Sequence, residues 1–262
     1  VGAVGPDFAD YESWLARHGV DTSGVHVSET AHTARFICTT DAEQNQIATF
    51  YAGAMSEARN IELKPIIEAA GSADVVLIGA NDPLAMQRHT DECRFRGYPF
   101  AADPSQQLAR MSGEEVKPLI EGAQYLFTNE YESALIEQKT GWSAADIADM
   151  VQVRITTLGP NGSRIERRGQ AAVHVPIAEE ERKSDPTGVG DAFRAGFLSG
   201  QAWGLSDERS AQVGSLLASY VIETVGTQEY ELAQQHFLQR LGRTYGDNAA
   251  AEVEGFISCT RP

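Results

Sequence analysis

The chain has 262 residues, of which 42% are hydrophobic and 22% charged, a size and balance that suit one large α/β domain or two small ones and need neither disulfide nor metal to hold a core. Thirty-seven acidic residues against 21 basic ones give a net charge of -16, which disfavours nucleic acid as a partner, although local backbone amides can still bind a small anion. Cys38, Cys93 and Cys259 are too few and too scattered for a disulfide framework or a zinc site. A reducing cytoplasm is therefore expected, and nothing suggests a membrane span or secretion.

The opening Val1-Gly2-Ala3-Val4-Gly5 reads like the end of a strand already under way. Phe8, Tyr11, Trp14 and Leu15 then recur at helical spacing, with Asp7 as the expected N-cap and Gly19 as the stop. Residues 34–39 and 46–51 both alternate apolar with polar, and the polar segment between them predicts an antiparallel hairpin. In a wound sheet such a hairpin sits outside the main layer, so residues 27–52 are expected to form a small β lid. Val75-Val76-Leu77-Ile78 is a continuous apolar run, as in a strand covered on both faces. Asp82-Pro83 has the order of a cap and a first-turn proline. Residues 99–102 form the next strand, and Ser112 with Glu115 has capping-box spacing. Strands follow at 125–128 and 153–157, and a second hairpin is expected at Ile165 and 171–175 through Arg168-Gly169. A glycine-rich turn then enters a helix over 187–200. Further helices are expected at 207–224, capped by Ser206, at 232–241, and at the C-terminus. The alternation predicts βα units and a largely parallel sheet in a single domain over 1–262. The six histidines show no metal spacing, and neither a serine-hydrolase elbow nor a P-loop is present.

The most informative segment is Asp185-Pro186-Thr187-Gly188-Val189-Gly190-Asp191. Two glycines around one residue let the backbone turn tightly at a helix start, where N–H groups and the helix dipole make an anion hole. Asp191 falls in the first turn of that helix, placed to accept a proton from a hydroxyl. Phosphoryl transfer needs both parts. A plain glycine-rich helix start with an ordinary first-turn acid has the same pattern. Asn129-Glu130-Tyr131-Glu132 stands at a strand's C-terminal end, where open sheets bind ligands, though Glu132 also fits a solvated helix residue. Thr157-Leu158-Gly159-Pro160-Asn161-Gly162 is either a turn that lets backbone approach phosphate or ribose, or a plain hairpin turn.

Taken whole, the heptapeptide with Ala192-Phe193 closely resembles the second signature of the ribokinase family, also called PfkB-type carbohydrate kinases. The resemblance implies an α/β fold with a central, mostly parallel sheet flanked by helices and a small β lid. It implies that Asp191 is the catalytic base, with the amides of Gly188, Val189 and Gly190 as the anion hole. Asn129, Thr157, Gly159 and Gly162 then line the nucleotide site for ATP. Glu132 helps hold magnesium through water, and Asp185 and Thr187 fall where the family often binds potassium.

In detail the chain resembles the adenosine kinases of actinobacteria, through residues 28–36, 50–60 and 102–110. That resemblance places Phe36 and Phe50 on either side of the purine and Gln106 and Gln107 at the border of the nucleoside site. The aromatic faces suit a base, although both could instead pack the hairpin onto the core. Most of the family has Asp-x-Asn where this chain has Asp103-Pro104-Ser105. The implied reaction is phosphorylation of the adenosine 5′-hydroxyl by ATP, and a homodimer is compatible with it. A sugar kinase of the same family and a non-catalytic nucleotide-binding remnant are the alternatives. The family's N-terminal strand with its substrate-binding Asp, and the Gly-Gly segment and Asn that follow, have no match here. The resemblance therefore implies a fragment or truncated product with damaged substrate positioning and little activity.

Overall fold

The computed structural model describes residues 1–41, 43 and 46–257, so Cys259 lies outside the described residues. The chain divides into two compact units, Val1–Val153 and Arg154–Pro262.

The first unit opens with β1 (Gly2–Val4), a short 3-10 turn at Pro6–Phe8, and α1 (Ala9–Arg17). Asp7 does not cap α1, contrary to expectation: it lies inside the 3-10 turn. Its carboxylate reaches instead to the Thr33 N–H and hydroxyl, both at 2.8 Å, and to Arg35 at 2.6 Å. β2 (Val25–Val27) pairs in parallel with β1. β3 (Arg35–Thr40) and β4 (Gln46–Tyr51) form the expected antiparallel hairpin, in register from Arg35↔Tyr51 to Thr40↔Gln46 and in a sheet of their own. A 3-10 stretch at Gly53–Asn60 leads to α2 (Leu63–Ala70).

β5 (Val76–Ile78), α3 (Pro83–Arg96), β6 (Phe100–Ala102), α4 (Gly113–Ile120) and β7 (Tyr125–Asn129) then alternate, followed by α5 (Glu130–Thr140) and α6 (Ala144–Met150). The strands run in parallel in the order β7–β6–β5. The sequence signals explain the boundaries. Asp82 accepts from the Ala85 N–H ahead of Pro83, Gly97 ends α3 in the left-handed region, and Ser112 and Glu115 form the capping box. The core joins Ile78, Met86, Phe100, Leu108, Leu119, Leu126, Ile136 and Ile147. β6 and β7 are buried on both faces, as a parallel sheet requires. β5 is not: Leu77 is 43% exposed, because β5 stands at the end of this strand order.

The second unit holds β8 (Val153–Thr157, its first residue shared with the unit boundary), β9 (Ser163–Arg167) and β10 (Val173–Val175), in the order β10–β9–β8. β9 and β10 are antiparallel, with Ile165 opposite Val173. The fold is thus α/β with a mixed central sheet and flanking helices. α7 (Val189–Ala202) and α8 (Asp207–Ile222) follow, then α9 (Gln234–Tyr245) and α10 (Asp247–Glu254). Glycines set the approach of α7 to α8: a Cβ on Gly196 would stand 2.6 Å from the Gly214 Cα. Val213, Leu216, Tyr220, Phe237, Leu241 and Val253 pack the other side of α8. Among the described residues, no helix is long and apolar enough to cross a membrane.

Candidate active site

α7 starts where it does because Gly188 adopts φ +83°, a conformation that suits glycine. A Cβ there would also come within 3.0 Å of Thr227. The chain leading into this turn is tied down by backbone bonds. Ser184 and Asp185 donate their N–H groups to the Ile222 carbonyl at 2.8 and 3.2 Å. The Asp185 carboxylate accepts from the Thr187 N–H at 2.9 Å and the Gly226 N–H at 3.3 Å. These bonds, that from Thr187 foremost, hold its carboxyl below the ordinary carboxylate range. Asp185, assigned to potassium by resemblance, thus spends both oxygens on fixing the turn.

Val189, Gly190 and Asp191 are the first three helical residues. Val189 donates to the Pro186 carbonyl at 3.4 Å. Gly190 and Asp191 have no helical carbonyl one turn back to bond, so their N–H groups point out of the helix start. Gly190 and Asp191 are both exposed. The side chain of Asp191 is 79% exposed and accepts from Arg194 Nη2 at 2.6 Å. Outward N–H groups of the kind that can hold an anion and an accessible carboxylate therefore arrive in one turn of chain. Arg194 was not singled out from sequence. Its signal was available: a basic residue three positions after a first-turn acid lies on the same helix face.

The second glycine turn of this unit joins β8 to β9. Gly159–Asn161 is a short 3-10 turn, closed by Leu158 N–H to the Gly162 carbonyl at 2.7 Å. Gly159 has φ +55° and open space where a side chain would stand. Gly162 has φ +86° and sits so close to Val175 that a Cβ would fall 2.0 Å from its carbonyl oxygen. Thr157 ends β8 half-buried at the edge of this turn. The open space beside Gly159 lets a ligand approach bare backbone, and Gly162 holds the turn against β10.

In the first unit, Asn129 ends β7 and caps α5. Its Oδ1 accepts from the Glu132 N–H, and Glu132 Oε2 accepts from the Asn129 N–H, both at 2.8 Å. The Asn-x-x-Glu motif is thus a reciprocal capping box that pins a carboxylate at a strand's C-terminal end. Among the described residues no three His, Cys, Asp or Glu side chains gather to cage a metal. A magnesium ion on a nucleotide takes one or two carboxylates, with water and phosphate completing its shell, and Glu132 is of the right kind.

Gln106 and Gln107 lie on a 3-10 turn (Ser105–Ala109) after β6, the first exposed and the second buried. Ser105 precedes them with φ +45°, the one positive φ at a non-glycine among the described residues. Sequence reading singled out the departure at Ser105 but not this strain. Phe36 and Phe50 are directly opposite in the hairpin and so share one of its faces. They are 54% and 42% exposed, so neither serves as a core residue. Ile37, Ile47 and Tyr51 project from the other face, also exposed.

The structure thus brings Asp185, Thr187 and Gly188 to Asp191 into one turn, Thr157, Gly159 and Gly162 into another, Asn129 with Glu132 at a strand end, and the two phenylalanines on one hairpin face. Comparison with known proteins bears on what such an arrangement serves. The sequence profile described as pfkB family carbohydrate kinase matches residues 1–234. The nucleoside kinase of Methanocaldococcus jannaschii is 30% identical over 233 residues, spanning 87% of this chain and 74% of that protein. The structure of Burkholderia thailandensis nucleoside kinase in complex with inosine superposes with a TM-score of 0.87 at 32% identity, covering 94% of this chain and 81% of that one. The same kinase in complex with ADP-inosine gives 0.86, covering 94% and 76%. With the profile running through most of its length, the chain belongs to the pfkB, or ribokinase, family of carbohydrate kinases.

Proposed function

We propose that this chain transfers the γ-phosphoryl group of ATP to the 5′-hydroxyl of adenosine, giving AMP and ADP. The observation that carries the reading is the turn at the start of α7, which supplies an accessible carboxylate and outward N–H groups together. In this mechanism Asp191 takes the hydroxyl proton as that oxygen attacks the γ-phosphorus. A new P–O bond forms, the bond to the β-phosphate oxygen breaks, and ADP leaves with its electron pair. Charge on the transferring oxygens meets the N–H groups of Gly190 and Asp191 and the positive end of α7. Gly188 shapes that turn through its left-handed backbone. Thr157, Gly159, Gly162 and Asn129 are assigned to the nucleotide. Bound magnesium would neutralise phosphate charge, with Glu132 as its carboxylate through water; potassium, if used, falls to Asp185 and Thr187.

A nucleoside is favoured over a free sugar by Phe36 and Phe50, two exposed aromatics paired on one hairpin face. Such a pair suits a flat base and has little to offer a free pentose. Two nucleoside kinases among the relatives support the class. Adenosine among the nucleosides rests on the sequence resemblance, as does the assignment of Gln106 and Gln107 to the nucleoside.

The test is a turnover assay of the 262-residue chain with ATP and a panel of adenosine, inosine, other nucleosides and ribose, alongside titration calorimetry with ATP. Asp191→Asn is expected to cut turnover to a small residual rate and spare ATP binding. Turnover confined to sugars would replace the reading with a sugar kinase. ATP binding with no turnover on any acceptor would leave only a nucleotide-binding protein.

A further inference from the structure

We infer that Arg194 is a positioning residue for Asp191, holding the exposed carboxylate at the helix start; this deepens the proposed kinase reading and rests on it. The Asp191 side chain is 79% exposed, so burial does little to fix its direction. Arg194 is only 17% exposed, so the cation is the better anchored member of the pair. Its Nη2 donates to Asp191 Oδ1 at 2.6 Å. Nη1 lies 3.2 Å from where a Gly190 Cβ would stand, so the guanidinium runs along the open side of Gly190. It therefore lies against both residues whose N–H groups face outward.

The electrostatics make this placement more than a surface ion pair. Helix side chains lean toward the N-terminus, which lets Arg194 fold back by one turn. A cation there faces the positive end of the helix dipole, where cations are disfavoured. The acid it meets offsets that cost. Asp191 gains a fixed direction in return, and a base held in a reactive orientation is worth far more to a proton transfer than one rotating freely. Gly190 has a second role beside its turn geometry: it leaves the guanidinium room.

The experiment uses the full chain with Arg194→Gln, Arg194→Lys, and Asp191→Asn with and without Arg194→Gln. Loss of positioning predicts that Arg194→Gln lowers kcat about tenfold or more while KM for ATP and nucleoside stays within about threefold. Arg194→Lys should recover much of the loss. In the Asp191→Asn background, adding Arg194→Gln should change the residual rate by less than about twofold, because one effect runs through the other. Wild-type kcat in Arg194→Gln, or losses that multiply in the double variant, would overturn the inference. If the wild-type chain turns over no nucleoside, the functional reading fails, and a crystal structure of Arg194→Gln still decides this one. A displaced Asp191 carboxylate supports it, and an unmoved one overturns it.

Discussion

Ser105 sits in a conformation that L residues avoid, φ +45°. Holding a residue in a sparsely populated region costs on the order of 1–3 kcal/mol and persists where surrounding structure imposes it. The turn it begins carries Gln106 and Gln107, the residues assigned to the nucleoside. Asn and Gly tolerate this region better than Ser. Ser105→Asn is therefore expected to raise stability by up to about 1 kcal/mol in denaturant unfolding. Its effect on nucleoside KM reports whether the strain helps place the glutamines. Phe36 gives a second prediction at this scale. Base–aromatic stacking is worth about 1–3 kcal/mol, so Phe36→Ala should cut kcat/KM for adenosine about tenfold. The same change should leave ribose, if it is turned over at all, nearly unaffected; equal losses on both would remove the base-stacking role. The turn at Gly188 and the first-turn place of Asp191 were legible in the sequence because a G-x-G-D turn has few conformations open to it. Arg194 and Ser105 were not: one depends on a rotamer, the other on strain that its own residue type argues against.

Between elements, the close approach of α7 and α8 is what carries the helix bearing Asp191. Gly196→Ala would bring a methyl 2.6 Å from the Gly214 Cα, backbone that cannot simply rotate away. Overpacking of this kind typically costs about 1–3 kcal/mol, so a lower Tm is expected, with the turn at Gly188 disturbed through α7. An unchanged Tm would mean that the helices slide apart without cost. At the foot of the hairpin, Asp7 binds Thr33 and Arg35, and the Thr33 N–H foremost, then Arg35, hold its carboxyl well below the usual range. A carboxyl depressed in the folded state adds stability that is fully present above the unfolded value, near pH 4. That contribution fades as pH falls further. Amide exchange in β3 and β4 should thus keep its protection down to about pH 4 and lose it below. Asp7→Asn should weaken protection at neutral pH, and an unaltered exchange rate would count against the latch. The hairpin itself was readable from alternation over 34–39 and 46–51, since a two-stranded antiparallel pair obeys a period of two. Asp7 was misread as a helix cap because the residues after it look alike whether a 3-10 turn or an α-helix begins there. Leu77 was misread because an apolar run does not say whether its strand ends up central or at the end of an order.

Across the whole molecule, net charge and proposed donor pull in opposite directions. The chain carries -16, with a sequence pI near 4.7, while ATP is itself strongly anionic. In the proposed mechanism the helix start at Gly188 would attract phosphate only at short range, since a helix dipole acts within its first turn. The summed acidic surface acts further out, as far as the Debye length allows, about 30 Å at 0.01 M salt and about 8 Å at 0.15 M. Low salt should therefore leave the nucleotide repelled on approach and captured only on arrival. Raising ionic strength across that interval is expected to speed ATP association and lower its KM, because screening removes the long-range repulsion before it weakens the local site. A neutral nucleoside feels no such field, and its KM should stay flat over the same range. Stopped-flow association of ATP at several salt concentrations, with nucleoside KM measured in parallel, checks both halves. An ATP on-rate that falls with salt would instead mean that a local positive field, with Arg194 at its centre, steers the nucleotide from a distance.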